Sequence, residues 1–359
     1  MNIYGYMNLS SREKARKAPL FRNKPARTGR KTRTFVSRNV LPRIFVTAIS
    51  LAGMAYLVLR PDLCIPAARR GLLLWAGTVL PALLPFFFLT SLLSSAGIAE
   101  SLSRGADRPM NVLFRQSGVS FFVFLTSILS GYPVGAKMTA ELCKKGILSR
   151  SEGTRTACLC STSGPLFVIG SVGTALFGDK RIGVAIYLSH LLAALCCGFV
   201  FRFYGEPPGK KAIPARAERS ANVLYDAAYS SVFSVLLVGG FVCLFYLLAD
   251  ALHSSGALRP AEELFSFVFR DRGAGEAFAG GLIECTRGCA ALAALPRSPF
   301  AASLAAAIVS SGGASVIAQS LLFLNDSCCN RKIFLLSKGL QTAFSFPICY
   351  ALVSLFSVV

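Results

Sequence analysis

The chain has 359 residues, 53% of them hydrophobic and only 15% charged, against roughly 25% charged in a soluble domain. That shortfall excludes a water-facing globular surface. The apolar stretches are continuous where a β-barrel strand would alternate, so the composition is that of an all-α polytopic membrane protein, with spans approaching the roughly 20 residues a bilayer needs.

The net charge of +21 is concentrated at one end: residues 1–43 hold twelve of the 38 Lys and Arg and one acid, Glu13. In a soluble chain this would suggest nucleic acid. Beside a first span it predicts a cytoplasmic N-terminus and no nucleic-acid partner, with attraction to anionic headgroups as a second role. The Arg, Lys, Ser and Asn content of residues 1–39 predicts a disordered tail, and a cleavable signal peptide does not fit.

Residues 40–116 carry two spans, Ile44–Leu59 and Gly71–Ile98, joined by a short outer loop, Arg60–Arg70. Pro81 and Pro85 are expected to kink the second span. An interfacial cytoplasmic helix with Arg104, Arg108 and Arg115 follows over 99–116. Segment 117–147 contains "SGYPVGAK" and reads as a re-entrant hairpin. If it crossed, the basic loop Arg202–Arg219 would lie outside, against the charge bias. Spans Thr156–Phe177 and Ile182–Phe203 complete a first unit, 117–203, and a basic cytoplasmic linker, 204–225, divides the halves.

Span Ala227–Leu252 and an outer amphipathic stretch occupy 226–273. "AFAGGLIECTRGCAALAAL" is too interrupted by Gly, Glu284 and Arg287 for a simple span and reads as a second hairpin, entered from the outer side. Spans Phe300–Leu324 and Ile333–Val359 complete a second unit, 274–359. Each unit is hairpin, broken helix, straight helix, so the pair reads as an inverted-topology repeat, whose interrupted segments point to a transporter's central site.

A helix broken in lipid must satisfy its backbone through protein or a water-filled cavity. Four breaks stand out: Ser130, Gly131, Tyr132 and Pro133; Ser161 to Pro165 with Ser163 and Gly164; Thr286 to Gly288; and Ser310, Ser311, Gly312 and Gly313. Close helix packing is one reading of them. The other is a substrate cavity in which half-helix N-termini face an anion. Lys137 is either a cation for that anion or a lysine snorkelling beside Lys144 and Lys145. Glu284 is the candidate coupling residue: it could take a proton, pair with Arg287 or hold a cation. Tyr132 could stack on a planar ligand or simply pack, and His190 reads as a core polar group.

Six of the twelve cysteines (Cys158, Cys160, Cys196, Cys197, Cys243 and Cys349) lie in apolar spans as small hydrophobes. Cys328 and Cys329 have no partner pair at zinc spacing, so neither a metal nor another cofactor is expected. No paired carboxylates or Ser/His/Asp set suggests an enzyme.

The blocks "LSGYPVGAKMTAELCKKGILS", "STSGPLFVIGSVGTALFGD" and "GLIECTRGCAAL", in that order, resemble the YlbJ-type sporulation integral membrane proteins over roughly residues 40–357. Proteins of that family carry paired nucleoside-recognition Gate domains and are distantly similar to concentrative nucleoside transporters. The resemblance implies a protein of endospore-forming Firmicutes, made in the mother cell and placed in the outer forespore membrane. Its implied activity is secondary transport of dipicolinic acid, a small anionic aromatic substrate, with a coupling proton or cation. The alternatives are a non-transporting scaffold or sensor in spore-envelope assembly, and a transporter of nucleosides or related solutes.

Overall fold

The structure, a computed structural model, describes residues 40–95, 98–208, 222–325, 327 and 329–355. The basic tail, most of the linker (209–221) and Cys328 lie outside the described residues. The described chain is helical, with no strand. It divides into two compact units, 1–58 and 59–359. The first contributes helix α1 (Val40–Leu59), and everything below concerns the second.

Helix α2 (Pro61–Leu74) begins with a proline at its first position, where the missing N–H costs nothing. The stretch expected as an outer loop, Arg60–Arg70, is therefore helical from Pro61 onward. A π-helical turn, Trp75–Val79, runs from α2 into α3 (Leu80–Ser95). It surrounds the carbonyl that the Pro81 ring would strike in a regular α-helix, which is how this proline is accommodated.

The amphipathic helix α4 (Ile98–Phe114) turns by 92° into α5 (Gly118–Ser130). Acids hold that corner: Asp107 accepts the Gly118 N–H and Glu152 accepts that of Ser117, both at 2.8 Å.

Helix α5 breaks at Gly131 and returns as α6 (Val134–Lys144). Next come α7 (Arg150–Leu159), a break, a π-helical segment (Leu166–Leu176) and the straight helix α8 (Lys180–Val200), which Asp179 caps. After α9 (Val223–Ser254) and the amphipathic α10 (Arg259–Phe269), the pattern recurs. A hairpin of α11 (Arg272–Gly281) and α12 (Cys285–Ala293) precedes a helix broken into α13 (Pro299–Ser311) and α14 (Gly313–Leu324), then the straight helix α15 (Arg331–Leu355).

The repeat is visible in the packing as well as the order. The returning arm of each hairpin lies on the second half of the other unit's broken helix: α6 on α14, and α12 on the π-helical segment. Each straight helix lies on the first half of the other unit's broken helix, α8 on α13 and α15 on α7, and the two straight helices pack together. If each straight or broken helix crosses once, α9 supplies the single extra crossing that sends the two hairpins in from opposite sides.

Helices Lys180–Phe203, Val223–Ser254 and Pro299–Leu324 are long and apolar enough to cross a membrane. Their side chains are arranged inside out. On α8, Ser189 and His190 are fully buried while Leu188 and Leu192 are 46% and 44% exposed. Apolar faces turned outward and polar groups turned inward suit lipid as the surrounding solvent.

Candidate functional site

Gly131 ends α5 at φ 77°, a left-handed conformation that favours glycine, and a Cβ there would meet the Gly164 amide nitrogen at 2.5 Å. The tip of the first hairpin is thus seated directly on the break between α7 and the π-helical segment. Hydroxyl groups bind the two together. Ser120 Oγ bonds Thr156 Oγ1 and Ser127 Oγ bonds Thr162 Oγ1, both at 2.8 Å, and Ser127 also donates to the Cys160 carbonyl.

His190 of α8 joins both broken helices. Its Nε2 accepts the Ser163 N–H at 2.8 Å, so the ring proton of the neutral imidazole sits on Nδ1, which bonds Ser310 Oγ at 2.9 Å. Both nitrogens are used, as expected of a satisfied core histidine.

Tyr132, at the hairpin tip, points into the same centre. Its hydroxyl oxygen accepts from Lys338 Nζ at 2.7 Å, and the ammonium lies 4.6 Å from the ring centroid. Lys338 also donates to Gln341 Oε1 at 3.0 Å and lies 3.5 Å from the Ser161 carbonyl. It is 2% exposed, and among the described residues no carboxylate is within ion-pair distance of it. Lys338 is not among the sequence candidates, although an ionisable side chain inside an apolar span is costly without a partner and marks it.

The second hairpin meets the other break. Ala314 and Ser315, opening α14, donate their N–H groups to the carbonyls of Leu282 and Ile283 at 2.8 and 3.1 Å, and Gly313 N–H is taken by Ser311 Oγ at 3.1 Å. Protein atoms therefore already satisfy this half-helix N-terminus, and it does not offer free donors to an anion. The hairpin turns at 282–284, with Thr286 and Gly288 in the first turns of α12.

Glu284, 1% exposed, caps α12, accepting the Arg287 N–H at 2.7 Å and the Thr286 hydroxyl at 3.2 Å. The expected Glu284–Arg287 side-chain pair does not form. The Arg287 guanidinium turns to Asp250 of α9 at 3.0 Å, and Arg70 of α2 approaches the same carboxylate at 2.5 Å. Arg287 is three residues on from Glu284, but its long side chain reaches the partly exposed face of α9, where the pair loses less of its hydration.

Two cavities flank the first hairpin. A central one of about 50 Å³ brings Tyr132, Ser163, Glu284, Thr286, Ser315 and Gln319 together, against apolar walls that include Phe167 and Val309. A larger chamber of about 290 Å³ lies between α3, α5, α6 and α9, lined by Thr126, Lys137, Glu141, Ser230, Ser231 and Ser234 among others. Lys137 faces this chamber, 3.4 Å from Ser230 Oγ, and not the central cavity. Ser130 also lines the larger chamber. Of the remaining candidates, Gly164 lines the central cavity. Pro165 is the residue before the π-helical segment, Gly288 packs on Gly281, and Ser311, Gly312 and Gly313 form the second break.

Two helical hairpins and two broken helices around a small, partly open and mostly apolar cavity define an α-helical integral membrane protein built on an internal repeat. In sequence the chain is similar to the sporulation integral membrane protein YlbJ of Bacillus subtilis (strain 168). The two are 33% identical over 223 residues, which take in 56% of this chain and 55% of that relative. The match spans only about half the relative's length. No family model matches the chain, and no solved structure matches it.

Proposed function

We propose that the chain is a secondary transporter of a small aromatic dicarboxylate, dipicolinic acid, working in the outer forespore membrane and catalysing no reaction. The proposal treats the two repeats as paired Gate-type units. The observation that carries it is convergence: Tyr132, Ser163, Ser315 and Glu284, from two hairpins and two broken helices, line one cavity. Interrupted helices meeting between repeats are the arrangement expected of a transporter's binding site.

At about 50 Å³ the central cavity has room for a carboxylate-sized group but not a pyridine ring, well below the roughly 300–1,000 Å³ of pockets that enclose whole ligands. The chamber beside Lys137, about 290 Å³, is the larger compartment and carries the cation that would first meet an anion. The sporulation role in the relative's name accords with dipicolinate as cargo.

The test is uptake of labelled dipicolinate by the purified full chain in liposomes. Accumulation above empty vesicles, competed by unlabelled dipicolinate and not by nucleosides, is the expected result. Nucleoside uptake instead would change the substrate, and no uptake of either would favour the scaffold.

A further inference from the structure

The transporter reading leaves Lys338 without an assigned role, and its surroundings suggest one. An ammonium has three N–H groups, and the neighbours facing it are neutral oxygens: the Tyr132 hydroxyl, the Gln341 amide and the Ser161 carbonyl. The other end of the Gln341 amide is equally telling. Its Nε2 is buried, in a residue 1% exposed, and among the described residues it has no acceptor. Lys338 thus has oxygen acceptors but no counter-charge among the described residues, and the Gln341 amide beside it has a buried N–H without an acceptor. Buried donors without acceptors are costly and rare in native proteins.

Tyr132 connects this pair of donors to the central cavity. Tyr132 lines the cavity, and its hydroxyl oxygen accepts from Lys338. Its own hydroxyl proton is only weakly engaged, facing the carbonyls of Val309 and Ser310 at 3.4 Å. A carboxylate entering the cavity would be a better acceptor for that proton than either carbonyl. The chain carboxylate–Tyr132–Lys338 would then be continuous, with each hydrogen bond polarising the next.

We infer that Lys338 is the charge-compensating group of the site. It takes up a proton when an anion occupies the central cavity and releases it when the anion leaves, with Tyr132 joining the two. The inference rests on the transporter reading and adds the coupling ion. The proton comes from bulk water on the loading side and returns to water on the releasing side, converting amine to ammonium and back. No other bond changes.

No other charged group is placed to do this. The ionisable neighbours of Lys338 are Tyr132, His190 and the thiols Cys158, Cys197 and Cys285. Of the helices packed on α15, α13 and α14 have no ionisable side chain. On α7, Glu152 is bonded to the Ser117 N–H, and Arg155 to the carbonyls of Tyr204 and Glu206. On α8, Lys180 and Arg181 lie in the first turn, Arg181 pairing with Asp179, while Tyr187 donates to the Ile128 carbonyl. Glu284, on the opposite wall of the cavity, is an acceptor and would repel the anion rather than balance it.

The test measures protons taken up when dipicolinate binds the purified full chain, by calorimetry in buffers of different ionisation enthalpy. Thermal melting of each variant serves as the folding control. Wild type should take up about one proton per ligand bound. Lys338→Arg keeps a permanent charge and should bind with almost no proton uptake, while Lys338→Met should bind at least tenfold more weakly. Tyr132→Phe removes the connecting hydroxyl and should weaken binding about tenfold. Binding by wild type without proton uptake, or undiminished uptake in Lys338→Arg, overturns the inference and leaves the transporter reading standing. Absence of any dipicolinate binding to folded wild type overturns both.

Discussion

At the tip of α11–α12 the main chain holds the main chain, since Leu282 and Ile283 carbonyls accept the first N–H groups of α14. At the tip of α5–α6 side chains hold it. Ser127 and Tyr132 reach across to Thr162 and Lys338. Among the described residues, no backbone–backbone bond joins residues 130–133 to the break at 160–164. The two hairpins occupy equivalent places in the repeat, but they resist displacement differently. A hydroxyl exchanges partners by rotating one side-chain torsion, whereas moving the second tip strips a helix end of its bonds. The first hairpin is the arm suited to move, and the second is the frame it moves against.

Substitutions at four residues test this contrast. The largest effect should come from Gly288→Val, because a Cβ at Gly288 would lie 2.3 Å from the Gly281 Cα, where no side chain can yield. Overpacking there should cost about 3 kcal/mol and empty the folded fraction in a thermal-melt assay. A variant melting like wild type would show that the second hairpin is not a rigid frame. Glu284→Ala removes the α12 cap and should cost about 1–2 kcal/mol. Glu284→Gln, which keeps an acceptor oxygen, should melt within about 0.5 kcal/mol of wild type and still accumulate substrate, because the residue caps the helix and does not carry the coupling charge. Lost accumulation in a folded Gln variant would return the coupling role to Glu284.

Asp250→Asn should cost no more than about 1 kcal/mol, because the Arg287 and Arg70 pairs are partly solvated. A larger loss in the same assay would mean that the second hairpin is also pinned by charge. The smallest effect on stability is expected for Lys137→Ala, which should leave melting unchanged but slow uptake more than Lys144→Ala or Lys145→Ala. Equal rates in all three would return Lys137 to a snorkelling role.

The features written locally in the sequence were the legible ones. A Gly, Pro or Ser cluster inside an apolar run specifies a break wherever it lies, so both hairpins, both broken helices and their order could be read from the residues alone. Partner choice was not legible, because it depends on which helices come to lie side by side. Nothing near Tyr132 announces that its partner is 206 residues further on, or that Arg287 prefers Asp250 to the acid three positions before it. Lys137 is a candidate for the central cation on sequence, beside the snorkelling alternative, because it follows the break in the chain. One turn of α6 carries it to the far side of the tip, into the outer chamber. The helix over Arg60–Arg70 was missed because charge and proline outweighed the favourable position of Pro61 at a helix start.

The two π-helical stretches touch, through a bond from Ser171 Oγ to the Thr78 carbonyl at 3.0 Å. Two residues on, Gly173 is wedged against Gly183, where a Cβ would meet backbone at 2.3 Å. The downstream end of Leu166–Leu176 is therefore clamped to two neighbours, while its upstream end carries Phe167 on the cavity wall. Taking up a single residue of winding between those ends would turn one against the other by about 100° and shift it by about 1.5 Å. With Ser171 and Gly173 held in place, any such change of winding would move Phe167 and with it one wall of the cavity.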